Sequence, residues 1–112
     1  MFSKTPPDEA GLIDECLPIQ LHRWLSPIEA RTVEFMGWKG KRDRDLLLMA
    51  KGQFDVLLTG DGFLDQEHDL ADYGLAVIVV RPTQIRAIQL LVPQIAAAID
   101  RTNVGETILL SA

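Results

Sequence analysis

Two phrases place carboxylates at the ends of apolar runs: Leu12-Ile13-Asp14-Glu15, and Val56-Leu57-Leu58-Thr59-Gly60-Asp61. Carboxylates gathered at one point repel one another. They are tolerated when a hard cation such as Mg²⁺ or Mn²⁺ sits between them, bound through oxygen and water. Asp14 and Asp61 lie far apart in sequence, so they meet only if their strands are parallel and adjacent. Gly60 and Gly62 flank Asp61, an arrangement that would let a substrate backbone approach closely. The plainer alternative makes Asp14 a turn or cap residue and Asp61 a turn residue between glycines.

Further acids have simpler accounts. Asp43 and Asp45 fall where a helix begins, and the helix dipole favours carboxylates there without any ligand. Residues 61 to 72 hold Asp61, Asp65, Glu67, Asp69 and Asp72 with no Lys or Arg. Such a run is usually a solvated face, although Asp65 or Asp69 could supply another acid at the mouth of a site. Opposite in sign is the group Lys39, Lys41, Arg42 and Arg44 beside Trp38. It reads either as a phosphate-contacting patch with a stacking aromatic or as a solvated loop whose Trp38 packs inward. Arg81, at the end of the strongest strand, is a weaker phosphate candidate. His22 and His68 share no metal-ligand spacing, and Cys16 is expected to be a buried thiol with no positive neighbour to activate it. No P-loop, dinucleotide fingerprint or nucleophile elbow occurs.

Composition bounds these options. The 112 residues match one domain, and 47% hydrophobic against 24% charged is ordinary globular usage. Eleven Lys and Arg against sixteen Asp and Glu give a net charge of −5. That balance tells against a protein held to nucleic acid or membrane by bulk positive charge. It leaves open a nucleic-acid enzyme in which a metal manages the repulsion. One cysteine excludes an intrachain disulfide framework and suits a reducing, cytoplasmic setting. The first ten residues read as a flexible N-terminal segment, neither signal peptide nor anchor, and no apolar run is long enough to span a membrane.

The elements that must position these residues alternate along the chain. Gly11-Leu12-Ile13 predicts a short strand, and Leu17, Leu21, Trp24 and Leu25 predict a helix stopped at Ser26-Pro27. Glu29 to Val33 reads as a second strand. Asp43 is a plausible N-cap for a helix carrying Leu46, Leu47, Met49 and Ala50 and ending near Lys51-Gly52. Phe54 to Thr59 and Leu75 to Val80 predict buried strands, with a short helix between them. Gln84 to Asp100 is helical by pattern, with Pro93 expected to kink or break it, and Thr107 to Leu110 is a last strand. Alternation of this kind predicts an α/β sandwich with a mainly parallel sheet, in which ligands gather beyond the carboxyl ends of the strands. A phosphoacceptor receiver layout would need a lysine at the end of a late strand. The last lysine is Lys51, which excludes it.

The phrase Leu12-Ile13-Asp14-Glu15-Cys16-Leu17-Pro18 resembles the opening of a bacterial family of PIN-like proteins, the domain-of-unknown-function family 5615. Further matches come in the same order: Arg31-Thr32-Val33 with Met36-Gly37-Trp38 and Gly40, then Asp45-Leu46-Leu47 with Ala50. Phe54-Asp55-Val56 with Thr59 and Asp61 is next, and then Ile78-Val79-Val80-Arg81. The resemblance runs from about Leu12 to the C-terminus. It implies a single PIN-like three-layer α/β/α domain over residues 11–112, similar to the toxin ribonucleases of bacterial toxin–antitoxin pairs.

The same resemblance implies a Mg²⁺- or Mn²⁺-dependent endoribonuclease. Its catalytic acids would be Asp14, Asp45 and Asp61, with Asp65 as a further metal ligand. Lys41, Arg42, Arg44 and Arg81 would contact the substrate. Asp45 stands where relatives tend to carry a glutamate, with Asp43 as the alternative. The chain departs from relatives after Asp61: they often continue with a base and an amide-rich stretch, while here the chain reads Gly62-Phe63-Leu64 and then Glu67-His68-Asp69-Leu70. Expected partners are RNA as substrate, an antitoxin-like protein and a second copy in a homodimer, with no membrane. The competing expectation is a catalytically inactive PIN-like module that binds a partner protein.

Overall fold

A computed structural model describes residues 9–62, 68–81 and 83–111. Five strands form one parallel sheet: β1 (Glu9–Ile13), β2 (Ala30–Thr32), β3 (Phe54–Thr59), β4 (Ala76–Arg81) and β5 (Thr107–Ser111). Their spatial order is β2-β1-β3-β4-β5. The register sets Leu12 beside Arg31 and Leu57, and Leu57 beside Val77. Helices α1 (Leu21–Trp24), α2 (Asp43–Ala50) and α3 (Ile85–Arg101) and a 3₁₀ turn (Leu70–Tyr73) complete the described elements. The protein is therefore α/β, with one central parallel sheet.

The sheet has a core on each side, which explains why β3 and β4 show no polar alternation. Ile13, Val56, Leu58, Ile78 and Val80 pack with Leu21 and Leu25 and with Ile88, Leu91 and Ile95 of α3. Leu12, Leu57, Val77 and Val79 pack on the opposite side against Val33, Trp38, Leu46, Leu47 and Leu70. In α3 the buried residues Ile88, Leu91, Ile95, Ala98 and Ile99 fall on one stripe, as a helix lying on a sheet requires.

Several elements differ from expectation for local reasons. β1 begins at Glu9, where it pairs with Phe54, two residues ahead of the expected start. The segment from Leu17 to Gln20 makes tight turns and not a helix. Leu21 N–H donates to Pro18 O at 3.1 Å and Arg23 N–H to Gln20 O at 3.0 Å. Arg42, not Asp43, is the N-cap of α2, in an extended conformation, so Asp43 is the first helical residue. Pro93 does not break α3. It lies on the exposed side, where water can serve the Gln89 carbonyl that the missing N–H leaves without a donor.

Candidate functional site

In a parallel sheet all strands end at one edge. Here that edge carries Asp14 just past β1, Thr59-Gly60-Asp61 at the end of β3, Arg81 at the end of β4 and Ser111 at the end of β5. The chain leaves β1 toward β2 on one side, while β3 adjoins β1 on the other. The β1/β3 boundary is thus the switch point of the sheet, where a crevice for ligands opens in doubly wound folds.

Asp14 and Asp61 both lie at this boundary, half-buried. Asp14 continues the ladder, its N–H donating to Leu58 O at 2.9 Å, so its position is set by the sheet. Thr59, fully buried, bonds the Asp14 carboxylate and the Asp61 main chain through one hydroxyl. Its Oγ1 donates to Asp14 Oδ2 at 2.8 Å and accepts the Asp61 N–H at 3.1 Å. The Glu15 N–H donates to Asp14 Oδ1 at 2.8 Å. An ionised carboxylate offers about four acceptor sites, so these bonds orient Asp14 and leave it capacity toward the half-open rim.

Cys16 closes the floor of the crevice and corrects the expectation of a buried residue: the residue is exposed, but its thiol turns inward. Gly60 N–H donates to Sγ at 3.2 Å, and Sγ lies 3.7 Å from Asp14 Oδ2 and 3.8 Å from Thr59 Oγ1. Desolvation of the thiol, reinforced by the Asp14 charge, pushes its pKa up against the lowering effect of the Gly60 N–H. Cys16 is accordingly a protonated packing group, not a nucleophile.

The flanking glycines serve the protein's own side chains. A Cβ on Gly60 would sit 2.6 Å from the Thr83 methyl and 3.4 Å from Cys16 Sγ, and one on Gly62 would overlap the Arg81 guanidinium. Their missing side chains make room for Thr83 and Arg81, which corrects the expectation that they clear a path for substrate. Arg81 is thereby held against Gly62, at the same edge as Asp61. An open depression of about 530 Å³ adjoins, lined by Gly60, Arg81, Thr83 and Ser111.

On the other flank lies the basic segment. Lys39, Lys41, Arg42 and Arg44 are all exposed. The Gly40 N–H donates to Glu15 Oε1 at 3.0 Å, tying this loop to the residue next to Asp14. Trp38 is only 9% exposed and packs edge-on against Phe54 with ring centroids 6.0 Å apart. Trp38 is thus a core residue with no open face on which a base could stack, and of the two readings of this segment the inward-packed one holds for it. Gly37 and Gly40 adopt φ of 78° and 83°, and these left-handed turns let the loop dip inward at Trp38 and return.

Asp14 and Asp61 both stand at the β1/β3 boundary, linked through Thr59 from the Asp14 carboxylate to the Asp61 main chain, and Asp45 does not join them as a third ligand. Asp45 is exposed in the first turn of α2, and among the described residues no three His, Cys, Asp or Glu side chains gather as a metal-binding group. Asp65 lies outside the described residues. A more enclosed cavity of about 280 Å³ beside β2 is lined by Ile19, His22, Arg31 and Phe35 among others, with the Arg31 guanidinium 4.7 Å from the Phe35 ring centre. It lies away from the switch point. Sequence reasoning gave Thr59 no role at the site and read Glu15 only as an edge carboxylate beside Asp14, not as the anchor of the Gly40 loop. The signal for Thr59 was present: a hydroxyl ending an otherwise apolar buried strand must find a partner.

Among the described residues, no helix is long and apolar enough to cross a membrane. No family model matches the chain, and neither a curated protein nor a solved structure matches it significantly.

Proposed function

We propose that this protein is a PIN-like, Mg²⁺- or Mn²⁺-dependent ribonuclease of the cytoplasm, acting at the crevice between β1 and β3. The observation that carries the reading is the placement of two half-buried acids, Asp14 and Asp61, at the switch point of the sheet, where the buried Thr59 hydroxyl bonds the Asp14 carboxylate and the Asp61 main-chain N–H. The donor set suits a hard cation: both side chains are carboxylates, both are half-open to solvent, and Mg²⁺ commonly takes one or two carboxylates and keeps several waters. When bound, such an ion supplies a water of lowered pKa and neutralises charge on a phosphate.

The chain's own residues do the rest. Thr59 and the Glu15 N–H hold the Asp14 carboxylate in one orientation, so little reorganisation is needed when a ligand arrives. Lys41, Arg42 and Arg44, exposed where the loop tied to Glu15 runs into the first turn of α2, draw the RNA backbone toward the acids. The reaction is hydrolysis: water oxygen bonds to phosphorus and one ester P–O bond breaks. Asp45 stands outside the carboxylate pair, so the proposal rests on Asp14 and Asp61.

The deciding experiment is Mn²⁺-dependent cleavage of a labelled single-stranded RNA by the wild type and by Asp14→Asn. Loss of cleavage in a variant with wild-type circular dichroism supports the reading, and undiminished cleavage overturns it. A second reading, a protein-binding module without activity, is favoured by the lack of a third ligating side chain among the described residues. It requires that Mn²⁺ fail to bind, which the electron paramagnetic resonance spectrum of a Mn²⁺ titration reads directly.

A further inference from the structure

The depression on the β4–β5 side of the carboxylates has a composition of its own. Arg81 and Ser111 are register neighbours at the ends of β4 and β5, and Thr83 comes two residues after Arg81. All three are exposed and line the same depression, with Gly60 as its floor. The first turn of α3, which begins at Ile85 behind a Gln84 N-cap in extended conformation, carries no acidic residue and no side-chain cap. Its amides and partial positive charge therefore face this edge uncompensated by a capping side chain.

We infer that the depression lined by Gly60, Arg81, Thr83 and Ser111 is a phosphate subsite, and that it takes a backbone phosphate of the nucleic-acid strand lying across Asp14 and Asp61. The strand rests on the ribonuclease reading; the phosphate chemistry does not. A guanidinium offers forked donors matched to phosphate oxygens, and hydroxyls add neutral ones. Gly62 lets the Arg81 guanidinium lie against the main chain, so less side-chain freedom is lost when an anion binds. Gly60 keeps the Thr83 methyl close, which fixes where the Thr83 hydroxyl starts.

Position supplies a separate support. The loop of Lys39 to Arg44 is anchored by Glu15 on the β1 flank, while Arg81 stands on the β4 flank. The carboxylate pair lies between two cationic positions along one sheet edge. A polyanion crossing the edge then has a positive contact on each side of the phosphate that faces the acids. This arrangement offsets the repulsion that a net charge of −5 and two carboxylates would impose.

The test uses the full chain in EDTA, where no metal-dependent cleavage occurs. Inorganic phosphate is titrated into ¹⁵N-labelled protein, and a fluorescein-labelled RNA decamer is followed by anisotropy. The subsite predicts phosphate-induced shifts at the Gly60, Thr83 and Ser111 amides. It also predicts a roughly tenfold loss of RNA affinity in Arg81→Gln and a smaller loss in the isosteric Thr83→Val. The slope of log affinity against log salt should become shallower by about 0.7 in Arg81→Gln. Arg101→Gln, the same charge change at the far end of α3, should bind as the wild type. Shifts confined to residues 39–44, or equal losses in Arg81→Gln and Arg101→Gln, overturn the subsite. So does RNA binding that Arg81→Gln leaves unchanged, even if the wild type cleaves RNA with Mn²⁺. Phosphate shifts at the named amides with the Arg81→Gln loss, but no cleavage by the wild type, keep the subsite and remove the ribonuclease.

Discussion

The two charged regions at the working edge of the sheet are built in opposite ways. Asp14 and Asp61 stand just past the ends of adjacent strands, and one fully buried hydroxyl bonds the Asp14 carboxylate and the Asp61 main chain. The bases from Lys39 to Arg44 run from an exposed loop, fixed by Trp38 in the core and by Gly40 on Glu15, into the first turn of α2. The Asp14 carboxylate is held by a buried group with no partner in water, whereas the basic side chains stand in solvent. A fixed carboxylate beside solvated cations suits a site that must place a reacting centre closely but can accept varied flanking sequence.

The strongest way to break this contrast is Thr59→Val. The substitution conserves shape but removes the hydroxyl, so the Asp61 N–H loses its acceptor and Asp14 one donor beneath the rim. A cost of about 1–3 kcal/mol is expected, the range for leaving buried polar groups unsatisfied. Urea unfolding measures it. A midpoint equal to the wild type would mean that the acids are not coupled through Thr59. Mn²⁺-dependent cleavage should fall with it, since Asp14 would no longer be held in one orientation.

A smaller effect separates the regions by their glycines. Gly60 has no room for a side chain, with the Thr83 methyl 2.6 Å from where a Cβ would stand. Gly40 has open space but a φ of 83°. Gly60→Ala should therefore destabilise by crowding, about 1–3 kcal/mol, and recover in the double variant with Thr83→Ser, which lacks that methyl. Gly40→Ala should cost about 1–2 kcal/mol through backbone strain. At position 40 Asn, which tolerates the left-handed region, should cost less than Ala; at position 60 the larger Asn should cost more than Ala. The same order of Asn and Ala at both positions would erase the distinction.

The parts of this molecule that are legible in the sequence are those set by local interactions. The strand Phe54–Thr59 has the bounds that its apolar run predicts, and β4 is displaced by one residue from Leu75 to Val80. Asp14 and Asp61 could be placed at one edge because alternation of strands and helices already implies a parallel sheet. The long helix, expected from Gln84 to Asp100, runs Ile85–Arg101 and is displaced by one residue, and the effect of Pro93 depends on the face it occupies. The illegible parts are set by partners remote in sequence. The inward turn of the Cys16 thiol depends on Gly60, the need for Gly60 on Thr83, and the fate of Trp38 on Phe54. Composition placed aromatic and bases together; packing against the second core separated them.

Cys16 offers the finest probe of the crevice, because its thiol touches Asp14, Thr59 and Gly60 at once. Desolvation first, and then the Asp14 charge, raise its pKa above the ordinary value near 9. The effect on stability has a definite sign. Below the ordinary value the thiol is protonated in both the folded and unfolded chains and pH changes nothing. As pH rises past it, the unfolded chain releases the proton while the folded one retains it, so the unfolded state gains and stability falls. The loss grows until the raised folded value is passed. Lys and Tyr also titrate in this range, so the useful quantity is the stability of the wild type minus that of Cys16→Ser. That difference should decline as pH rises through the ordinary thiol value near 9, a small effect beside those of Thr59 and Gly60. Iodoacetamide should also label Cys16 more slowly than a free cysteine, with the midpoint of its pH–rate curve displaced upward. A midpoint at or below that of a free cysteine would place the thiol outside the reach of Asp14. Asp14 would then be held by Thr59 and the Glu15 N–H without the thiol, and the contrast with the exposed basic segment would narrow to those two bonds.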